Sequence, residues 1–165
     1  RSPYDNFGKV SIEGSAYHYL LPNKYVILAS NLMFGSLFGE KTINIPAPYR
    51  FYGGSPNHLR GYSYQNVSPL NAQDKPVGGR SIFTWSIEPR IRIFAPLQVV
   101  GFLDIGNVYR GSWPQWNLAM LKSLGVGVRY FTFLGPLRLD IGFPLNKRPN
   151  IRETYQIYFS IGQAF

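Results

Sequence analysis

The sequence predicts an all-β fold, a transmembrane antiparallel β-barrel to which these 165 residues contribute about seven strands. Three observations carry that prediction: period-two alternation in several separate segments, connections that are short and long by turns, and no apolar run long enough for a spanning helix. Hydrophobic residues make up 45% of the chain and aromatics 16%, yet mean hydropathy is only -0.11, so apolar and polar residues are interleaved. The longest uncharged apolar-rich run, Tyr25 to Gly39, falls short of the roughly 20 residues a spanning helix needs, and it contains Ser30, Asn31, Gly35 and Ser36. Arg1 to Gly14 lacks the continuous apolar core of a signal peptide, and the chain is expected to begin after any export signal.

Two strands are expected near Phe7 to Leu20 and Lys24 to Phe38, though their alternation is too irregular to assign faces. The cleanest strand is Ser81 to Ile93. There Ser81, Phe83, Trp85, Ile87, Pro89, Ile91 and Ile93 alternate with Ile82, Thr84, Ser86, Glu88, Arg90 and Arg92, as lipid on one side and water on the other require. Val99, Leu103 and Ile105 oppose Asp104 and Gly106 in the next strand. Leu124, Val126, Val128 and Tyr130 then oppose Ser123, Gly125, Gly127 and Arg129. Leu137, Leu139, Ile141 and Phe143 oppose Arg138, Asp140 and Gly142, and a last strand sets Tyr155, Ile157, Phe159 and Ile161 against Gln156, Tyr158, Ser160 and Gly162.

Short turns at Pro22-Asn23, Phe94-Ala95-Pro96 and Leu134-Gly135-Pro136 alternate with long links at Gly39 to Gly78, Arg110 to Asn117 and Asn146 to Glu153. In outer-membrane barrels the short turns are periplasmic and the long loops extracellular. About seven strands is an odd count, whereas bacterial single-chain barrels have even numbers with both ends on the periplasmic side. Arg1 to Asp5 would then lie at the extracellular rim, and further strands are expected upstream. The 165 residues are read as part of one barrel domain.

The formal net charge of +9 would suit a nucleic-acid binder, but the basic residues are scattered. Arg90 and Arg92 sit on one strand, and Lys147, Arg148 and Arg152 in a Pro/Asn loop. A basic lumen, or loops near phosphorylated lipid head groups, accounts for the charge without nucleic acid. There is no cysteine, and His18 and His58 are isolated, so neither a disulfide nor a metal site is expected. No Gly-x-Ser-x-Gly elbow is present, and Gly125-Val126-Gly127 lies within a strand instead of opening a helix. A non-enzymatic protein without a cofactor is the expectation.

Inside the longest loop, at about 39–78, Phe51-Tyr52-Gly53-Gly54-Ser55-Pro56-Asn57-His58-Leu59-Arg60-Gly61-Tyr62 resembles the lumen-loop signature of the BamA/TamA outer-membrane superfamily. The resemblance continues through Ser68-Pro69, the Phe-x-Asp-x-Gly strand motif at Phe102 to Gly106, Leu134 to Asp140, and a terminal strand ending in Phe165. It covers most of Tyr49 to Phe165, and the spacing of its elements is closest to TamA-like members.

The resemblance implies a C-terminal portion of a barrel of about sixteen strands in the bacterial outer membrane, preceded by periplasmic POTRA domains. It implies that Gly53, Gly54, Leu59, Arg60, Gly61 and Tyr62 fold into the lumen and that Arg60 meets Glu88 and Asp104 on the inner wall. Both carboxylates fall on the polar phase of their strands, and Gly61 allows a close backbone approach. Tyr155, Ile157, Phe159, Ile161 and Phe165 resemble the terminal-strand signal by which new barrels are recognised for assembly. The implied function is outer-membrane protein insertion or protein translocation. A two-partner or autotransporter-type secretion barrel and a passive pore are the alternatives. Expected partners are outer-membrane lipids and lipopolysaccharide, unfolded outer-membrane or secreted proteins, and the remaining strands and periplasmic domains. Unpaired sheet edges also make self-association of the segment possible.

Overall fold

The structure, a computed structural model, describes residues 6–22, 25–39 and 41–162. Seven antiparallel strands form one sheet in strict chain order: β1 (Phe7–Tyr19), β2 (Val26–Gly39), β3 (Ser81–Phe94), β4 (Leu97–Tyr109), β5 (Leu121–Thr132), β6 (Gly135–Pro144) and β7 (Gln156–Ile161). The strand boundaries differ from the sequence expectation by a residue or two. Tyr155, read as the first residue of the last strand, lies just before it, because its neighbour Gln156 is where pairing to Gly142 begins. The expected Pro22-Asn23 turn falls partly, and Arg1 to Asp5 wholly, outside the described residues.

Register supplies the facing that alternation left open in the first two strands. Asn31 is opposite both Ser86 and Ser15, and Ser86 is opposite Asp104, which in turn is opposite Ser123. Cross-strand partners share a face, so the odd positions of β1 and β2 continue the inner face of β3. Asn31 donates to Glu13 at 3.1 Å and to Ser15 at 2.9 Å, so this inner face is polar and hydrogen-bonded from its first strand. In β3 the even residues Thr84, Ser86, Glu88 and Arg90 are buried while Trp85 is exposed. On the outer face Leu124, Val126, Leu139, Phe143, Ile157 and Phe159 are all exposed. Trp85 donates its indole N–H to Ser30 at 2.9 Å, which satisfies that group on the outer face. Labels at Phe83, Trp85 and Ile87 are therefore expected to report lipid, and labels at Thr84, Ser86 and Glu88 to report shielding from lipid; lipid-phase quenching measures the difference, and a reversed order would reject this facing.

Short turns join β3 to β4 and β5 to β6, while the long links all leave from the opposite end of the sheet. Most of the longest link, 41–80, folds back against the inner face. It is held to itself by bridges Phe51↔Gly79, Gly53↔Val67 and Leu70↔Pro76. Its Ile45, Phe51, Leu59, Tyr62 and Val67 pack with Leu37 of β2, Ile82 of β3, Val108 of β4, Leu121 of β5 and Ile151. The apolar core of the segment thus lies between link and wall, and not on the outer face. Since no helix of the described residues is long and apolar enough to cross a membrane, any crossing is made by strands.

Candidate functional site

The core carries the tip of the link, Leu59 to Tyr62, to the middle of the inner wall. Arg60 is 1% exposed. Its backbone N–H and Nε both donate to Asp104 Oδ2 at 2.9 Å, and its Nη2 donates to Asp104 Oδ1 at 2.8 Å. Nη2 also reaches Ser86 at 2.8 Å, and Nη1 reaches Glu88 at 2.7 Å and Asp140 at 3.4 Å. The guanidinium carbon lies 3.6 Å from the centroid of the Phe102 ring. A planar fork that grips a carboxylate with two nitrogens and stacks on an aromatic face is chemistry specific to arginine. Burial works against the charge of Arg60, but Asp104, by hydrogen bond and field, together with Glu88 and Asp140, outweighs it and raises its pKa. Arg60 therefore stays protonated.

Three further arginines complete the cluster. Arg90 donates to Glu88 at 2.7 Å, Arg129 bridges Glu88 at 3.2 Å and Asp140 at 2.5 Å, and Arg138 donates to Asp140 at 2.7 Å. Arg138 also donates to the carbonyl of Pro56 at 2.7 Å, which ties a second point of the link to β6. Every carboxylate is shared by at least two cationic or hydroxyl donors, and Ser86 donates to Asp104 at 2.6 Å. This sharing offsets the desolvation that would make an isolated buried ion pair unfavourable.

The backbone around Arg60 is as constrained as its side chain. Leu59 has φ 57 and Gly61 has φ 91, so the arginine is presented between two left-handed residues. A Cβ at Gly61 would stand 3.0 Å from Ser123 Cβ and 3.1 Å from the backbone of Phe143. Gly61 donates its N–H to Tyr158 of β7 at 2.9 Å, and the Tyr158 hydroxyl donates to the Tyr62 carbonyl at 2.7 Å. Tyr62 donates to the carbonyls of Lys122 at 2.7 Å and Asn146 at 3.1 Å. Burial pushes the Tyr62 phenol up to about 12 against those lowering bonds, so it remains a donor at neutral pH. Gly53 exchanges backbone bonds with Val67, and Gly54, at φ 87, donates to the carbonyl of His58 at 3.0 Å, closing the tip's turn.

The structure thus places all six motif residues of the link in one folded tip and brings Arg60 to Glu88 and Asp104. Asp140, Arg90, Arg129, Arg138, Ser86 and Tyr158 were not assigned to this cluster from sequence. The signal was present for most of them, since Arg129, Arg138, Asp140 and Tyr158 fall on the polar phase of β5, β6 and β7. Alternation gave their face, but pairing register was needed to give their common height.

The terminal-strand residues form a separate surface. Tyr155, Ile157, Phe159 and Ile161 are all more than half exposed on the outer face, while Phe165 lies outside the described residues. A charged residue on a lipid face costs roughly 2–4 kcal/mol near the midplane and less near the interface. Phe159→Lys or Ile161→Lys is expected to lower the level of folded protein in the membrane, measured by heat-modifiable migration. Unchanged levels would remove lipid exposure as the role of this strand.

Comparison with known proteins agrees with this architecture. The model of the Omp85 superfamily domain matches residues 4–165. Over 170 aligned residues the chain is 31% identical to outer membrane protein assembly factor BamA of Nitratidesulfovibrio vulgaris, covering 98% of this chain and 21% of that protein. The fold matches the crystal structure of BamA from Haemophilus ducreyi lacking POTRA domains 1-3 with a TM-score of 0.75 at 18% identity, over 93% of this chain and 34% of that one. The chain therefore spans about a fifth of the curated relative it matches and a third of the solved one. It belongs to the Omp85 superfamily, and its seven strands are a portion of an outer-membrane β-barrel.

Proposed function

We propose that this chain is the C-terminal part of an insertase barrel that helps other β-barrel proteins fold into the outer membrane, with upstream strands completing about sixteen and POTRA domains preceding them. The observation that carries this reading is the Arg60 clamp, which fastens one inner link to carboxylates on β3, β4 and β6. A passive pore works by keeping its lumen open, and a link held there by buried charge pairs opposes that. A machine that handles a substrate at its wall needs the lumen occupied and its strands held in register. The assembly-factor name of the relative supports the same conclusion. Its partners in this reading are unfolded outer-membrane proteins and the lipids around the barrel, and no catalytic reaction is assigned to it. The motif spacing keeps TamA-like members within the proposal, and a secretion barrel is the neighbouring alternative.

The test is reconstitution of the full-length protein in liposomes. It is expected to speed folding of an added, urea-unfolded outer-membrane protein into the bilayer and to conduct ions weakly and irregularly. Steady porin-like conductance without any acceleration of folding would overturn the proposal. Passage of an added polypeptide into the liposome lumen, without its insertion, would favour the secretion barrel.

A further inference from the structure

At the end of the sheet from which the long links leave, Pro69, Leu70, Tyr109, Leu118 and Leu121 help enclose a cavity of about 510 Å3. Arg110, Lys147 and Arg148 line it as well, and no Asp or Glu does so among the described residues. Arg110 donates to the carbonyl of Leu70, and Arg148 to that of Ser68 at 2.6 Å, which holds both guanidinium groups in place. Among the described residues none of the three cations has a carboxylate partner. In the buried cluster below, by contrast, every arginine has one. The site therefore offers two held guanidinium groups, a lysine and apolar side walls, a set suited to a phosphate attached to a ring or other weakly polar body.

The link 110–120 tells where this cavity stands. Its Trp113 rests on Phe34 of β2 at 5.7 Å between ring centroids, and its Trp116 meets Phe83 of β3 edge-on at 5.1 Å. Phe34 and Phe83 are register partners on the outer face, so the link drapes over the lipid side of the wall. The two indoles are 71% and 60% exposed, as expected of an aromatic girdle at the membrane–water boundary. The same link supplies Arg110, Gln115, Leu118 and Ala119 to the cavity, which places it at head-group depth. Apart from the paired Arg60, the three links 40–80, 110–120 and 145–155 carry eight Lys or Arg against three Asp or Glu, so the field at this end attracts anions.

We propose that this cavity binds a phosphate monoester carried on the head group of an outer-leaflet glycolipid, with Arg110, Lys147 and Arg148 holding the phosphate. The site is distinct from the Arg60 clamp, and its occupation does not depend on the insertase reading.

The test uses full-length protein in phosphatidylcholine nanodiscs, titrated with fluorescently labelled lipid A bearing both phosphates, with the same lipid enzymatically dephosphorylated, and with inorganic phosphate as competitor. Wild type is expected to bind the phosphorylated lipid about tenfold or more tightly than the dephosphorylated one, on the scale of lost charge-assisted hydrogen bonds. Lys147→Ala with Arg148→Gln is expected to abolish that preference. Arg110→Gln removes the third cation of the cavity and should weaken binding severalfold. Heat-modifiable migration checks that each variant is folded, and if the double variant is not, Arg110→Gln decides. Equal binding of the two lipids, or unchanged affinity in folded Arg110→Gln, overturns the proposal. Full displacement by millimolar inorganic phosphate would assign the site to free phosphate and overturn the lipid assignment. Folding activity of the same variants is a separate readout, so loss of lipid binding with normal activity leaves the insertase reading intact.

Discussion

Replacing Arg60 by alanine is expected to release the link 41–80 from the inner wall while leaving the seven-stranded ladder paired. The substitution removes six side-chain and stacking contacts to Asp104, Glu88, Asp140, Ser86 and Phe102, and it leaves three carboxylates with fewer partners. A solvated lumen pair would be worth no more than about 1 kcal/mol. At 1%, 0% and 2% exposure for Arg60, Glu88 and Asp104, the larger figure of about 3–5 kcal/mol for breaking a buried pair applies. Arg60→Lys should recover little of it, because an ammonium can neither grip Asp104 with two coplanar nitrogens nor stack on Phe102. In the full-length protein the measurement is proteolysis between Gly53 and Pro76, expected to rise sharply in both variants, together with reduced folding of added substrate. A double-mutant cycle with Asp104→Ala reads the pair itself, and strong coupling is expected of residues in direct contact. Additive losses, or a link that stays protected in Arg60→Ala, would show that the apolar core alone holds it.

The strands were legible because a wall with lipid on one side and polar groups on the other must alternate, and Ser81 to Ile93 does so with little exception. β1 and β2 were harder. Gly14, Ser15 and Ala16, and Gly35 and Ser36, put small residues on both faces, so periodicity has nothing to count and only pairing with β3 decides. The Arg60–Asp104–Glu88 contact was within reach of sequence because a motif singled out the arginine and alternation singled out the acids. Arg129, Arg138 and Asp140 share that alternation, but nothing local says that β5 and β6 carry them to the same height as Glu88. That is a property of register summed across four strands. The link Arg110 to Asn117 reads in sequence as a plain loop, since a Trp-Pro-Gln-Trp segment does not reveal whether its indoles turn inward or lie over Phe34 and Phe83.

Gly61→Ala tests the same docking from the backbone. The residue sits at φ 91, where an L-side chain is disfavoured by roughly 1–2 kcal/mol. There is also no room. A Cβ would press within 3.0 Å of Ser123 and 3.1 Å of the Phe143 backbone, while across the contact a Cβ on Gly142 would stand 2.7 Å from the Gly61 nitrogen. Link and β6 thus meet glycine to glycine, and overpacking such a contact costs about 1–3 kcal/mol more. Moving the tip outward to make space would also stretch the Gly61 bond to Tyr158 and the bonds of Arg60 to Asp104, all of them 2.8–2.9 Å long. The expected result is therefore an undocked tip with Arg60 still present, and protease sensitivity close to that of Arg60→Ala. Gly142→Ala should reproduce it from the wall side. Because both substitutions draw on one docking equilibrium, Gly61→Ala in the Arg60→Ala background is expected to add little, a strongly sub-additive cycle. Full additivity would mean that Gly61 acts through the strand ladder and not through the tip, and normal protection in Gly61→Ala would show that the tip docks without the close glycine contact.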